Sequence, residues 1–140
     1  MRLVLDTHVV VAALRSPGGA SAALLERAFD RAYAPLLSVP LVLEYEAVAL
    51  DPTQRIVSGL AEAEVRAVVT ALCAVGVAVE THFLWRPQLR DPSDEMVLEV
   101  AVNGRADAIV TFNRRDFGAT PGRFGIEVMA PREALQRVRA

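Results

Sequence analysis

The sequence begins MRLVLDTHVVVAAL (residues 1–14), and this stretch decides the fold. An apolar run at residues 3–5 is typical of a buried strand, and three valines at 9–11 resume the apolar character. Asp6 stands between the two runs. Taking an isolated carboxylate out of water costs several kcal/mol or more unless a partner compensates its charge. The stretch therefore predicts a strand over residues 2–6 whose last residue is an acid that needs a partner.

Strands and helices alternate along the rest of the chain. Helices are predicted over residues 7–14, 21–32, 38–50, 61–74, 91–104 and from 131 onward, strands over 33–37, 77–81, 107–111 and 126–129, and loops over 82–90 and 112–125. This alternation indicates an α/β fold with a parallel sheet of about five strands, covered by helices on both faces. We expect a single domain over residues 1–140, with ligands beyond the carboxyl ends of the strands.

Composition excludes several classes of protein. No apolar stretch approaches the ~18 residues that a membrane helix needs, and the single cysteine, Cys73, rules out an internal disulfide framework, so we expect a cytoplasmic protein with no membrane partner. All 15 basic residues are arginine. Without lysine, the chain does not fit a haloacid-dehalogenase phosphotransferase or a response-regulator receiver, and it lacks the Gly-Lys-Ser/Thr of a P-loop hydrolase.

A second acid lies where apolar residues are expected. Asp91-Pro92 is a helix start, with Asp91 as the N-cap. Asp94 follows in the first turn, and its helical face is shared with Val97, Leu98 and Ala101. The polar edge of the same helix is predicted to hold Glu95, Glu99 and Asn103. Asp94 therefore points inward, which favours a role in a site over a role as a cap.

Two more segments offer acids. The helix PLVLEYEAVAL (residues 40–50) carries Glu44 and Glu46, and because it is apolar almost all round, periodicity does not tell which of them faces inward. Asp116 follows the predicted strand over residues 107–111, at the same sheet edge as Asp6. An aspartate in a loop is often only part of a turn. Asp116 is therefore a candidate site residue only together with the other acids.

Four carboxylates that share a small site repel one another unless a cation lies between them. Hard oxygen ligands of this kind suit Mg²⁺ or Mn²⁺, which activate water and stabilise the attacking and leaving oxygens of phosphodiester cleavage. One cysteine and two histidines far apart in the sequence offer no zinc ligand cluster. His8 is interpreted as a residue on the side of the first turn of a helix, not as a member of the site. The acids therefore predict a magnesium or manganese site.

The sequence resembles the PIN domain family, the metal-dependent ribonuclease fold found in many toxins of bacterial type II toxin–antitoxin systems. The resemblance covers nearly the whole chain and is carried by the order and spacing of four motifs: LVLDTHVVVAAL (3–14), SVPLVLEYEAVAL (38–50), DPSDEMVLEVAV (91–102) and ADAIVTFNRRDF (106–117). It implies one PIN-like domain with three α/β/α layers. The implied activity is endonucleolytic hydrolysis of RNA with Mg²⁺ or Mn²⁺.

The resemblance also assigns residues and partners. It implies that the four acids, Asp6, Glu44, Asp94 and Asp116, hold the metal and act in catalysis, which selects Glu44 over Glu46. Thr7 and Asn113 match polar positions that support the acids or the substrate, whereas His8 replaces a more usual asparagine. The resemblance further implies a homodimer and an antitoxin partner. Candidate phosphate contacts are Arg15, Arg114, Arg115 and Arg123.

Two other functions compete with this one. The nearest enzymatic alternative is a PIN-like nuclease that acts on structured DNA rather than RNA. The non-enzymatic alternative is a PIN-like fold retained as a catalytically silent binding or scaffold module. Loss of the acids would be typical of such a module, and at least three acids remain in compatible positions here. The sequence therefore favours an active nuclease.

Overall fold

The apolar run at the start of the chain forms a strand at the centre of the sheet. In the computed structural model, which describes residues 1–81 and 88–138, this strand is β1 (Arg2–Leu5). The others are β2 (Ala34–Leu37), β3 (Val77–Ala78), β4 (Ala108–Val110) and β5 (Glu127–Met129). Their order is β3-β2-β1-β4-β5, and every pairing is parallel. The predicted α/β fold with a parallel five-stranded sheet is confirmed, and it is consistent with three α/β/α layers.

Eight α-helices connect and cover the strands in the described part of the chain. They are α1 (Thr7–Arg15), α2 (Ala20–Phe29), α3 (Val39–Ala49), α4 (Pro52–Ser58), α5 (Glu62–Val75), α6 (Pro92–Asn103), α7 (Arg114–Phe117) and α8 (Pro131–Arg137). A 3₁₀ turn follows α7 at Pro121–Phe124. Helix α6 packs against β1, β2 and β4.

Polar caps fix where several helices begin. Ser38 Oγ accepts a hydrogen bond from the Leu41 amide (3.2 Å) at the start of α3, and Asp91 Oδ1 accepts one from the Ser93 amide (2.9 Å) at the start of α6. Each of these bonds satisfies an amide that the helix itself leaves unpaired. The predicted starts of both helices are confirmed, and Asp91 is an N-cap as predicted.

The structure differs from the predicted elements in several places, and helix α2, predicted to reach residue 32, ends at Phe29. Helix α4 was not predicted, and the predicted loop over 112–125 contains α7 and the 3₁₀ turn. Strand β3 ends at Ala78 rather than at residue 81. Of the predicted loop over 82–90, residues 82–87 lie outside the described residues, and 88–90 are irregular.

The core lies between the sheet and its helices. Leu3, Val4 and Ile109 in the central strands are fully buried, and each contributes about 1.5–3 kcal/mol through removal of its side chain from water. A smaller cluster of Val11, Ala49 and Val65 joins α1, α3 and α5. The longest helix in the described residues, α5, has 14 residues, and none there is long and apolar enough to span a membrane. The core therefore holds β1 rigidly and leaves its carboxyl end to carry Asp6.

Candidate functional site

Asp6 follows β1 directly and is held on three sides. Its amide donates to the Val110 carbonyl (2.9 Å), which continues the pairing of β1 with β4 by one residue. Its Oδ1 accepts from the Thr7 amide (2.8 Å), so Asp6 is also the N-cap of α1. Its Oδ2 accepts from the hydroxyl of Thr111 (2.7 Å). With 5% of its surface exposed, Asp6 is a buried carboxylate whose orientation is fixed by its neighbours.

Thr111 is a member of this site that the sequence analysis did not identify. It is fully buried, and its hydroxyl both donates to Asp6 and accepts from the Asn113 amide (3.1 Å). The signal lies in the sheet register: Leu5 pairs with Val110, which brings the next residue of each strand, Asp6 and Thr111, side by side. Thr111 thus connects the acid on β1 to the loop that carries Asn113.

The pKa of Asp6 is raised, mainly because burial disfavours the charged carboxylate. The hydrogen bonds from Thr111 and Thr7 act in the opposite direction, as does the positive charge of His8, and the negative charge of Asp116 raises the pKa further. His8 is exposed at the start of α1 and interacts with the site through its charge, although it was interpreted only as the side of a helix start.

Asp94, in the first turn of α6, is half-buried beside Asp6. Its pKa is raised to about 6, first by burial and then by the negative charges of Asp6, Asp91 and Asp116. These four acids come from three distant segments of the chain, and the interaction of their charges shows that the fold brings them together. The sequence predicted that Asp94 points inward, and in the structure it is half-buried.

A cleft of about 470 Å³ opens at this place between the start of α6 and α7. Asp91 and Asp94 line it from α6, and Arg115 and Asp116 line it from α7. Residues 88–90 form a further part of its wall. Asp116 is exposed and lines the same cleft as Asp94.

Glu44 and Glu46, which periodicity could not separate, have different surroundings. Glu44 is half-buried, and its Oε2 accepts a hydrogen bond from Ser93 Oγ (3.0 Å), the residue before Asp94. Glu46 forms an ion pair with Arg66 of α5 (2.8 Å). Glu44 thus faces the first turn of α6 and Glu46 faces a different helix, an arrangement that favours Glu44 as the site residue.

Glu95 does not lie on a polar edge as predicted. It is buried, with 9% of its surface exposed, and its carboxylate accepts hydrogen bonds from the amides of Gln88 (3.0 Å) and Leu89 (2.8 Å). The prediction was wrong because a helical wheel shows only the helix itself, whereas the partner of Glu95 is the backbone of a neighbouring segment. Glu95 therefore fixes residues 88 and 89 at the wall of the acidic cleft.

The remaining predicted residues differ in burial and in their contacts. Thr7 is buried and contributes its backbone amide to Asp6, and Asn113 is exposed at the N-cap of α7. Arg114 forms an ion pair with Glu133 of α8, whereas Arg115 lines the cleft. Arg15 ends α1, and Arg123 belongs to the 3₁₀ turn.

The sequence was compared with models of known protein families to find the family of this chain. The model of the PIN domain family matches residues 2–115, which include β1, α6 and the start of α7. The chain belongs to the PIN domain family. No match to this PIN domain was found among curated proteins or among solved structures. PIN domains form a nuclease superfamily whose members generally use divalent metals. Acids at the carboxyl edge of the sheet are the kind of ligand that such metals need.

The donor chemistry of this PIN domain fits a hard divalent cation. Asp6, Asp94 and Asp116 offer carboxylate oxygens. The pKa of Asp94 is raised first by burial and then by the negative charges of its neighbours, which a cation would compensate. Within residues 1–81 and 88–138, however, no three histidine, cysteine, aspartate or glutamate side chains form a group able to hold a metal ion. The site therefore suits a divalent cation in its carboxylate ligands and in its negative charge, but these side chains do not form a complete set of metal ligands.

Proposed function

We propose that this PIN domain is a metal-dependent endoribonuclease that hydrolyses phosphodiester bonds in RNA. The observation that carries the proposal is the convergence of two acids, the buried Asp6 after the central strand and Asp94 of α6, which lines a solvent-accessible cleft with Asp116. The charges of Asp6 and Asp94 interact, and the pKa of each is raised. Perturbed acids that meet at the carboxyl edge of a parallel sheet are typical of active sites.

The proposed ligands of Mg²⁺ or Mn²⁺ are Asp6, Glu44, Asp94 and Asp116. When bound, such a cation supplies activation of water and stabilisation of negative charge on the phosphate. Thr111 and the Thr7 amide orient the Asp6 carboxylate through the hydrogen bonds described above. Glu44 is oriented by Ser93 in the same way. The hydrogen-bond partners of Asp6 and Glu44 favour one orientation for each of these two carboxylates, which supports a preorganised metal site.

RNA is the proposed substrate, and Thr7, Asn113 and Arg114 are its proposed contacts. Asn113 is exposed beside Asp116, and Arg115 reaches the cleft itself, so an arginine is available for a phosphate close to the acids. Arg114 is paired with Glu133, and contact with a phosphate would replace that exposed ion pair, which is worth little by itself.

We further propose that this nuclease is a cytoplasmic toxin that forms a homodimer and is masked by an antitoxin. Support comes from an exposed apolar surface on α3, where Val39 is 74% and Leu43 59% exposed next to a cleft of about 280 Å³. Exposed apolar patches of this kind are typical of protein–protein interfaces.

A cleavage assay with matched variants tests the proposed activity. Wild-type protein, Asp94→Asn, Glu44→Gln and the control Glu46→Gln are each incubated with single-stranded RNA and Mg²⁺ or Mn²⁺, with EDTA as a further control. We expect wild type and Glu46→Gln to cleave, both site variants to lose activity by about 100-fold or more, and EDTA to abolish it. An inactive wild type, or site variants that cleave as well as wild type, would contradict the proposal.

The same assay separates the competing functions. A single-turnover comparison of single-stranded RNA with structured DNA of equal length identifies the preferred substrate. Faster cleavage of the DNA would favour the DNA nuclease. Binding of RNA without any cleavage, by wild type and by the Asp94→Asn variant alike, would favour a catalytically silent binding module.

A further inference from the structure

Residues 88–90 form a ridge between two clefts. Leu89 and Arg90 line the acidic cleft that Asp94 also lines, and the same two residues line a neighbouring cleft of about 420 Å³ together with residues of α3 and α6. Arg90 is the exposed member of the ridge, whereas residues 88 and 89 are half-buried. The ridge therefore needs support from elsewhere if Arg90 is to keep a fixed place in the acidic cleft.

The backbone of Arg90 is fixed on both sides by helix α6. The residue before it, Leu89, donates its amide to the carboxylate of Glu95 (2.8 Å). The residue after it, Asp91, is the N-cap of α6. Because Asp94 and Glu95 are neighbours in the first turn of this helix, the place from which the Arg90 side chain extends is set relative to Asp94.

Glu95 is an unusual residue for this support. It is a buried acid, and within residues 1–81 and 88–138 it forms no ion pair. A buried carboxylate costs several kcal/mol unless hydrogen bonds or a cation compensate its charge. Here the compensation comes from the amides of residues 88 and 89. The buried charge of Glu95 is therefore used to hold the ridge.

The guanidinium of Arg90 is available for an anion. Arg90 takes part in none of the ion pairs found in the described part of the chain, although it lines a cleft that contains acids. Arg115, on the α7 wall, is exposed and also outside these ion pairs. Each wall of the cleft thus has one acid, Asp94 or Asp116, and one arginine. Acids repel a phosphate, whereas the planar fork of an arginine binds one with two parallel hydrogen bonds.

We infer that Arg90 binds a backbone phosphate of the substrate in the acidic cleft, and that Glu95 is the positioning residue that holds Arg90 in place for it. The inference rests on the proposed nuclease function and adds a residue to its site. The acids supply oxygen ligands for a cation, and Arg90 donates hydrogen bonds to a phosphate that the acids alone would repel.

Binding of a short fluorescently labelled single-stranded RNA, measured by anisotropy in EDTA, tests the inference without any cleavage. Arg90→Gln removes the charge and keeps a polar side chain, whereas Arg90→Lys keeps the charge but lacks the planar fork. Arg132→Gln is the matched control, because Arg132 is an exposed arginine of α8 that lines a different cleft and forms no ion pair within the described residues. Each measurement is repeated over a series of salt concentrations and with a DNA strand of the same length.

We expect Arg90→Gln to raise the Kd about tenfold, equivalent to about 1.4 kcal/mol, and to reduce the salt dependence of binding by one phosphate contact. Arg90→Lys should keep the salt dependence, and Arg132→Gln should bind as wild type does. The loss should be equal for RNA and DNA, because a phosphate contact does not read the sugar or the base. An unchanged Kd and salt dependence in Arg90→Gln, or a loss limited to RNA, would overturn the inference.

The sign of the change in Kd tests the positioning role of Glu95. Removing a negative charge would by itself tighten the binding of an anion, which is what we expect for Glu99→Gln on the same helix. Glu95→Gln should instead raise the Kd about threefold, and so should Glu95→Asp, which keeps the charge but shortens the side chain. Neither change should weaken binding further in the Arg90→Gln background. Tighter binding by Glu95→Gln, or equal weakening in both backgrounds, would contradict the positioning role.

The two proposals fail in different ways. If wild type binds the RNA with these variant effects but does not cleave it with Mg²⁺ or Mn²⁺, the phosphate contact of Arg90 stands and the ribonuclease proposal fails. If wild type cleaves RNA and Arg90→Gln changes neither the Kd nor the KM, the ribonuclease proposal stands and the phosphate contact fails.

Discussion

The hydroxyl of Thr111 donates a 2.7 Å hydrogen bond to Oδ2 of Asp6, across the two central parallel strands β1 and β4. Both residues are buried, and this bond opposes the effect of burial on the pKa of Asp6. A threonine that is far from the acid in the sequence thus helps to keep it ionised and oriented.

Thr111→Val removes this hydroxyl at nearly constant volume. We expect a loss of about 1–3 kcal/mol in the free energy of unfolding, because a buried carboxylate oxygen loses its donor. Cleavage should fall by about 10- to 100-fold, since the partner that orients a proposed ligand is gone. The pKa of Asp6 should rise, which moves the acidic limb of the pH–rate profile to higher pH. Thr111→Ser retains the donor and should restore both the profile and the rate; a Val variant with an unshifted profile would argue against this role.

Asp94→Asn should stabilise the metal-free protein at neutral pH. The pKa of Asp94 is about 6 in the folded protein against an ordinary 3.8, so between these values the folded state holds more protons than the unfolded state. Stability therefore falls as the pH rises from about 4 to about 6 and stays lower above it. Thermal unfolding in EDTA should show a higher Tm for Asp94→Asn than for wild type at pH 7 and no difference at pH 4.

The control for this measurement is Asp30→Asn, an exposed aspartate at the end of α2. It should leave the Tm unchanged at both pH values. Asp6→Asn should also raise the Tm in EDTA at pH 7, because asparagine is an equally good N-cap and removes a charge that burial disfavours and that Asp116 repels. A lower Tm for both site variants would count against a cluster of mutually repelling acids.

Tyr45→Phe tests how α3 is attached to the central strand. The buried Tyr45 hydroxyl donates to the carbonyl of Leu5, the residue before Asp6, over 2.5 Å. Its removal should cost about 1 kcal/mol, measured by urea unfolding, and should lower cleavage because the backbone next to Asp6 loses a fixed contact. Tyr33→Phe is the matched control: it removes a buried bond to the Leu24 carbonyl (2.8 Å) and should cost similar stability at unchanged activity. Equal activity of the two variants would show that Tyr45 has no effect on the site beyond its contribution to stability.

Glu95→Gln should loosen the wall of the acidic cleft. The Glu95 carboxylate accepts from the amides of Gln88 and Leu89, and bonds to a charged acceptor contribute about 1.5–3 kcal/mol. Hydrogen exchange at the Leu89 amide should therefore be faster in this variant. Glu99→Gln, on the same helix, should leave that exchange rate unchanged. Protection of Leu89 that survives Glu95→Gln would show that other contacts hold the segment.

The sequence predicted the elements that carry a strong local pattern and missed those that do not. Helix α4 begins at Asp51-Pro52, the same N-cap and proline signature as Asp91-Pro92 at the start of α6. It has no buried residue, and Ile56 is 82% exposed, so the periodic apolar face that reveals a packed helix is absent. Helix α7 has four residues, too few for any periodicity to appear.

Within the site, residues that end a predicted strand or share an apolar helix face could be identified from sequence. Asp6 and Asp94 satisfied these criteria. Thr111 and Glu95 could not be identified in this way, because their partners are fixed by sheet register and by the backbone of a distant segment. The choice between Glu44 and Glu46 likewise needed the positions of Ser93 and Arg66.

The strand order has a consequence for biosynthesis. Strand β1 is made first but lies between β2 and β4, and its second neighbour is complete only at Val110. A nascent chain that has not yet reached Thr111 leaves one side of Asp6 open and lacks Asp116 altogether. The acidic centre is therefore complete only when most of the chain has been translated, and a fragment that ends before Thr111 lacks part of it.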